Sequence, residues 1–296
     1  MLPRRHIRIK VFQSLYSLSQ QNEDENFNLN SEFKANLEGY LSLFQLIIDL
    51  LRIIREIAKS EIEIKKHNLA PSNEDLKPNK RFIQNKILSR ITTKYNYTEQ
   101  EYEKVQKTVK GIFQQIKTSK KYIKYMNATE HSTDDDKKIV IHVLKNYIII
   151  NEKIHDIIED YSIYWNDDLI IVYNILLEKL NNNQSINNTK LFRQSDDRIF
   201  ANELLQKTVK NTVKTSKIIY DLAKNWDKER IAISDLIIMR MAITEMTYIQ
   251  NIPHKVTIDE YIEISKQYST PKSKEFINGI LDVFIKDILP KKINKS

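Results

Sequence analysis

ERIAISDLIIMRMAITEMTYI, residues 229–249, carries apolar side chains on nearly every face of a helix. A surface helix keeps one polar side, so a helix that is apolar all round belongs at the centre of a bundle. The reading extends outward from there. A helix from about 197 to 226 leads into it. Beyond it, TIDEYIEISKQY (257–268) opens with Thr257 and Glu260 at the spacing of a capping box. STPKSKEFINGILDVFIKDIL (269–289) restarts a helix, with Ser269 or Thr270 as cap and Pro271 in its first turn. Gly279 falls inside that helix, where it costs about 1 kcal/mol relative to Ala. The position predicts a close approach by a neighbouring helix or ligand.

Composition agrees with helices throughout. Among 296 residues there are three glycines and six prolines, too few for a sheet with many tight turns, so the expected fold class is all-α. The same scarcity argues against a Gly-rich nucleotide loop. The chain has no cysteine, which excludes disulfides and Cys-based metal or redox chemistry. Its six histidines are scattered, with no HExxH spacing, and neither a Walker loop nor a GxSxG turn occurs. No catalysis, metal or cofactor is therefore expected. Apolar runs such as IVIHVLKNYIII are short or interrupted by charge, so no membrane span and a cytoplasmic location are expected.

The opening MLPRRHIRIKVFQSLYSLSQ holds four cations in its first ten residues and no acid in its first twenty. An Arg-rich, acid-poor start has the composition of a transit peptide, but its apolar residues form a core-like stripe, and a folded segment is expected. Cations at the positive end of a helix are unfavourable by about 0.3–1 kcal/mol each when exposed, so an anion from outside the helix is expected. Ile7, Val11, Leu15 and Leu18 repeat at core spacing, leaving Arg5, Ile9, Phe12 and Tyr16, flanked by Arg8, on the next face.

After a polar loop, a long helix is predicted over 33–67, ending at LAPSNEDLKPN. Further helices are predicted over 81–93, 99–126, 134–164 and 167–180, followed by NNNQSINN (181–188) as a floppy linker. In the second of these Val105, Val109, Ile112, Ile116 and Ile123 form the apolar stripe. Lys107, Lys110, Lys117, Lys121 and Lys124 lie away from it. Asp134 to Asp136 read as acids at a helix start. Between 76 and 129 thirteen Lys and Arg face three acids. Two basic regions on an otherwise acidic chain suggest a polyanion partner, with a solvated lysine surface as the alternative.

Three segments in order resemble the bacterial transcription antitermination factor NusB family: PRRHIRIKVFQSLYS, RIAISDLIIMRMAITEM and IPHKVTIDEYIEISKQYSTPKSKEFINGILD. The resemblance implies a pair of small helical bundles formed by the first helix (1–20) and residues 196–290. Residues 21–195 then form an additional helical insertion domain, and 291–296 a basic tail. It also implies a non-catalytic protein that binds boxA-like single-stranded RNA together with NusE, a ribosomal small-subunit protein. Such a protein acts on the RNA polymerase elongation complex indirectly and supports rRNA operon transcription.

By position Arg4, Arg5, His6 and Arg8 fall on the family's basic tract, Tyr16 on its first-helix aromatic and Phe276 on the aromatic of its closing motif. Asp235 lies near positions that resemble the family's NusE-contacting helix, which the resemblance implies is a partner-binding site. His6 stands where Arg is frequent, and Lys272 where some members have an acid. Read from the residues themselves, Phe276 is either a core residue or an exposed platform for a base. In the latter case Arg5, Arg8, Phe12 and Tyr16 on the first helix and Lys272, Lys274 and Phe276 on the closing one make a basic–aromatic strip, if those helices lie side by side. Such a strip suits unpaired nucleotides. The lysines of 107–124 would supply an auxiliary basic surface. A helical protein–protein scaffold in ribosome assembly is the competing reading. An RNA-modifying enzyme of this fold would need a Gly-rich cofactor domain, for which the sequence has no glycines to spare.

Overall fold

The computed structural model describes residues 1–21, 27–224, 230–249 and 252–289. The predicted tail at 291–296 and the end of the helix near Trp226 lie outside them. Among the described residues there is no strand, and the protein is all-α. The helices are α1 (Arg4–Ser19), α2 (Leu29–Lys66), α3 (Asn73–Leu76), α4 (Glu99–Thr118) and α5 (Lys120–Asn127). Then come α6 (Thr133–Val143), α7 (Glu152–Tyr161), α8 (Trp165–Asn181), α9 (Ser195–Lys210) and α10 (Thr212–Leu222). The last three are α11 (Ile233–Tyr248), α12 (His254–Tyr268) and α13 (Ser273–Val283). Two compact units result, one of Met1–Leu37 with Phe192–Ser296 and one of Glu38–Leu191.

In the first unit α11 is the central helix, packed against α1, α9, α10, α12 and α13. Leu236 to Met239 and Met241 to Met246 are all buried, as an all-round apolar helix requires. The first helix departs from its reading. Every residue from His6 to Leu15 is buried, including Arg8, Lys10, Gln13 and Ser14, while Leu18 is exposed. So α1 is an internal helix with internal polar partners. Lys10 donates to Asn36 Oδ1 at 2.8 Å, and the Asn36 amide donates to Gln13 Oε1 at 3.2 Å.

One of the two expected caps differs from its reading. α12 starts at His254 directly after Pro253, so Thr257 lies one turn inside the helix and caps nothing. Thr270 does accept from the Ser273 amide at 3.3 Å, with Pro271 in the turn between. The predicted helix over 197–226 breaks at Asn211 into α9 and α10.

The second unit is built on the continuation of α2, where Leu46 to Leu51 are all buried. Gly39 permits a close approach there: a Cβ on it would sit 2.8 Å from Trp165 Nε1 of α8. The predicted helix over 81–93 is instead a run of turns with one 3₁₀ turn at Leu88–Arg90. Buried Asn85 takes the Ile87 and Leu88 amides at 2.9 and 3.0 Å, in competition with helical bonding. The helix predicted over 99–126 breaks at Ser119, whose ψ of 138° is extended and whose hydroxyl accepts from the Tyr122 amide. The break turns Tyr122 and Tyr125 into the core and leaves Ile123 exposed, off the expected stripe.

Further along, Ser132 and Asp135 form a capping box at the start of α6. The predicted helix then widens into a π-helical segment at Leu144–Ile149 and stops at Asn151, which caps α7. NNNQSINN is held rather than floppy. Asn187 accepts from the Thr92 amide at 2.8 Å and donates to Arg90 O at 2.8 Å, and Ile186 is buried.

Candidate nucleic-acid interface

The arginines of α1 meet acids of the same unit. Arg4 Nε pairs with Asp197 at 2.9 Å, and Arg5 makes two bonds to Glu260 at 2.8 and 2.9 Å. Arg8 makes two to Glu245 at 2.8 and 2.6 Å, with Glu260 3.8 Å away on its other side. Glu245 also accepts from the hydroxyls of Thr257 and Tyr261, each at 3.0 Å. Burial works against the charge of Arg8, yet the bonds and field of Glu245 outweigh it and hold its pKa above the ordinary value. Tyr261 is pushed well up by burial and then by the Glu245 carboxylate. The guanidinium of Arg8 lies 5.0 Å from the Phe200 ring centre and 5.8 Å from that of Tyr261.

These contacts correct the expected site. His6, Arg8 and Phe12 are buried, so they belong to the packing of α1 and not to an open strip. Phe12 packs on Tyr268 of α12 with ring centres 4.8 Å apart. Arg4, Arg5 and Tyr16 remain exposed on α1, as do Lys272 and Lys274 at α13, with Phe276 half-buried beside them. Asp235 is buried and its carboxylate accepts from the Ser269 hydroxyl, which ties the start of α11 to the end of α12. Gly279 has open space where a Cβ would be, against the expected close approach.

α1 packs on α11 and α9 and, less extensively, on α12, while α13 packs on α12, α11 and α10, so α12 rather than direct packing links α1 to α13. Glu263, half-buried on α12, is in an ion pair with Lys266 and feels the fields of both Arg5 and Lys274. The bonds from Lys266 come first among the causes that hold its pKa below the usual carboxylate range. Arg5 binds Glu260 of α12, and Lys274 stands on α13, which also packs on α12. The sequence reading missed these acids. For Glu245, the partner of Arg8, the available signal was a lone glutamate inside the apolar run of α11, because a buried carboxylate needs a cation.

In the second unit Lys107, Lys110, Lys121 and Lys124 are exposed. Lys117 differs: it pairs with Glu61 at 2.7 Å and lies 5.3 Å from the Phe113 ring centre. Among the described residues no group of three or more His, Asp or Glu side chains is placed to hold a metal. Nor is any helix long and apolar enough to cross a membrane.

The NusB family model matches residues 161–286. The match takes in α8, a helix within the 21–195 segment expected to be an insertion, and does not include α1. The transcription antitermination protein NusB of Thermodesulfovibrio yellowstonii is 40% identical over 122 residues, 41% of this chain and 80% of that protein. The protein of the same name from Salinibacter ruber is 43% identical over 91 residues, 31% of this chain and 57% of its own. That from Oleidesulfovibrio alaskensis is 47% identical over 87 residues, 29% and 56%. The chain thus spans little more than half the length of the latter two. No solved structure matches it. With an all-α unit centred on α11 and a match covering four fifths of one such relative, the chain belongs to the NusB family.

Proposed function

We propose that this protein is a non-catalytic, RNA-binding transcription antitermination factor of the cytoplasm. In this reading it takes boxA-like single-stranded RNA jointly with NusE and supports rRNA operon transcription, meeting the RNA polymerase elongation complex through them. Family membership and the names of the relatives support the transcriptional role. The observation that carries the RNA assignment is that α12 packs on both α1 and α13, which present exposed Arg5 and Tyr16 on the one and exposed Lys272 and Lys274 with half-buried Phe276 on the other. Cations for phosphates and rings for bases are what a single strand requires.

A second reading, a protein scaffold in ribosome assembly, draws on the ion pairs: Arg4, Arg5 and Arg8 all have acids of their own. The two readings separate in an RNA titration at several salt concentrations, with and without NusE, using boxA-like and scrambled strands. RNA binding predicts a salt slope near −2 for about three phosphate contacts on a single strand. It also predicts its loss in the Arg5→Gln/Lys272→Gln/Lys274→Gln variant with helicity and melting unchanged. Arg8 is left intact because its removal would test the core. NusE binding with no RNA binding at any salt would establish the scaffold instead.

A further inference from the structure

In the second unit a cavity of about 250 Å³ is walled by Arg81, Lys121, Lys124 and Lys138 with a single acid, Asp135. Tyr125 adds an aromatic wall. Asp135 is already committed, accepting from the Ser132 amide at 3.1 Å and the Ser132 hydroxyl at 2.6 Å as the cap of α6. Those bonds, the hydroxyl's first, lower its pKa. Lys121, Lys124 and Lys138 make no ion pair among the described residues, whereas Lys104 pairs with Asp160 and Lys117 with Glu61.

Arg81 is held in place by the backbone. Its Nη1 donates to Tyr125 O at 2.7 Å, and its guanidinium lies 5.9 Å from the Tyr125 ring centre. Asn79, two residues before it, donates to Met126 O at 2.8 Å and fixes the same turn. One bond leaves most of the guanidinium's five donors unused. Four cations gathered on one hollow repel each other, and an anion entering it relieves that repulsion. A fixed guanidinium with mobile ammonium groups around it is the donor set that phosphate oxygens take.

We propose that this cavity binds a phosphate group, and that the group is a phosphodiester of an RNA strand. The source rests on the RNA-binding reading above; the anion chemistry does not. A strand is favoured over a small phosphate because the excess extends well past the cavity, with thirteen cations against three acids over 76–129. The site also narrows the auxiliary basic surface. Lys121 and Lys124 belong to it, Lys107 and Lys110 serve long-range attraction, and Lys117 is taken by Glu61.

The test uses the full chain and its Lys121→Gln/Lys124→Gln/Lys138→Gln variant, titrated with a single-stranded RNA oligomer and separately with inorganic phosphate. These side chains are exposed, so helicity and melting should not change. The variant is expected to lose tenfold or more in RNA affinity at low salt. Its salt slope should move toward zero by about 0.7, the value for one phosphate contact on a single strand. An unchanged affinity and slope overturns the proposal, even if the Arg5→Gln/Lys272→Gln/Lys274→Gln variant loses RNA. The reverse pattern supports the cavity and removes the α12 face from the RNA site. If inorganic phosphate shifts the Arg81 Nε–H resonance while RNA binds nowhere, the strand is overturned as the source.

Discussion

Arg8 and Glu245 lie 237 positions apart in the chain, and both are almost wholly buried as they face each other through two hydrogen bonds of 2.8 and 2.6 Å. The pair joins α1 to α11, and the hydroxyls of Thr257 and Tyr261 bring α12 to the same carboxylate. Removing one partner leaves the other charged and unsolvated, at a cost of about 3–5 kcal/mol. Arg8→Met should therefore lower stability to urea by that amount, and Arg8→Met/Glu245→Leu should recover much of it. Arg4→Gln, which breaks a half-exposed pair, should cost under about 1 kcal/mol. A loss below 1 kcal/mol for Arg8→Met would show that the pair is not a fastener.

Glu260 and Glu263 place negative charge beside the cations assigned to RNA. Glu260→Gln/Glu263→Gln keeps hydrogen-bonding groups at both positions and removes two charges. RNA affinity at low salt should rise about three- to tenfold as the repulsion between these carboxylates and the phosphates is relieved. The gain should fade at high salt as screening shortens the reach of both charges. Fluorescence titration of a labelled strand reads both effects. A variant that binds no better at low salt would place the strand elsewhere.

What the sequence made legible follows physical range. α11 as a central helix was readable because its signal is local and all-round apolarity has one meaning. The breaks at Ser119, Asn151 and Asn211 were not, since each depends on which face the next segment must bury. Periodicity placed Ile123 in the core, yet the structure buries Tyr122 and Tyr125 and exposes Ile123. For the site, Arg5, Tyr16, Lys272 and Lys274 were correctly read as exposed, while Arg8 was read as exposed too. A charged residue on a helix looks solvated until its acid is found, and that acid is 237 positions away. The cavity lysines show the converse: Lys121 and Lys124 were singled out, but only folding brings Arg81 and Lys138 to them.

Two glycines should respond oppositely to alanine. At Gly39 the new methyl would sit 2.8 Å from the Trp165 indole nitrogen. That indole is buried and stacked on Tyr161 with ring centres 5.4 Å apart, so it cannot swing aside freely. Strain of about 1–3 kcal/mol should exceed the helix gain of about 1 kcal/mol. At Gly279 nothing lies within 4 Å, and the same gain should appear undiminished. Thermal melting of Gly39→Ala and Gly279→Ala compares them, with the first expected to melt lower than wild type and the second higher. A rise for Gly39→Ala would mean that α2 and α8 are less closely packed.

His142 should make the fold sensitive to mild acid. Its pKa is lowered from the ordinary value first by burial and then by the field of Lys121. Its Nε2 is buried without a partner, and its Nδ1 lies 2.9 Å from the Asn146 amide nitrogen, a donor that suits a neutral ring. The folded protein therefore binds fewer protons at this site than the unfolded chain between the lowered pKa and about 6.5. Stability rises with pH wherever the unfolded state holds more protons. This contribution is complete above about 6.5 and is lost as pH falls through that value toward the folded pKa. The urea midpoint of wild type should drop between pH 7.5 and 5.5 by more than that of His142→Gln, which has no proton to take up. Parallel losses in the two proteins would assign the acid sensitivity to other groups.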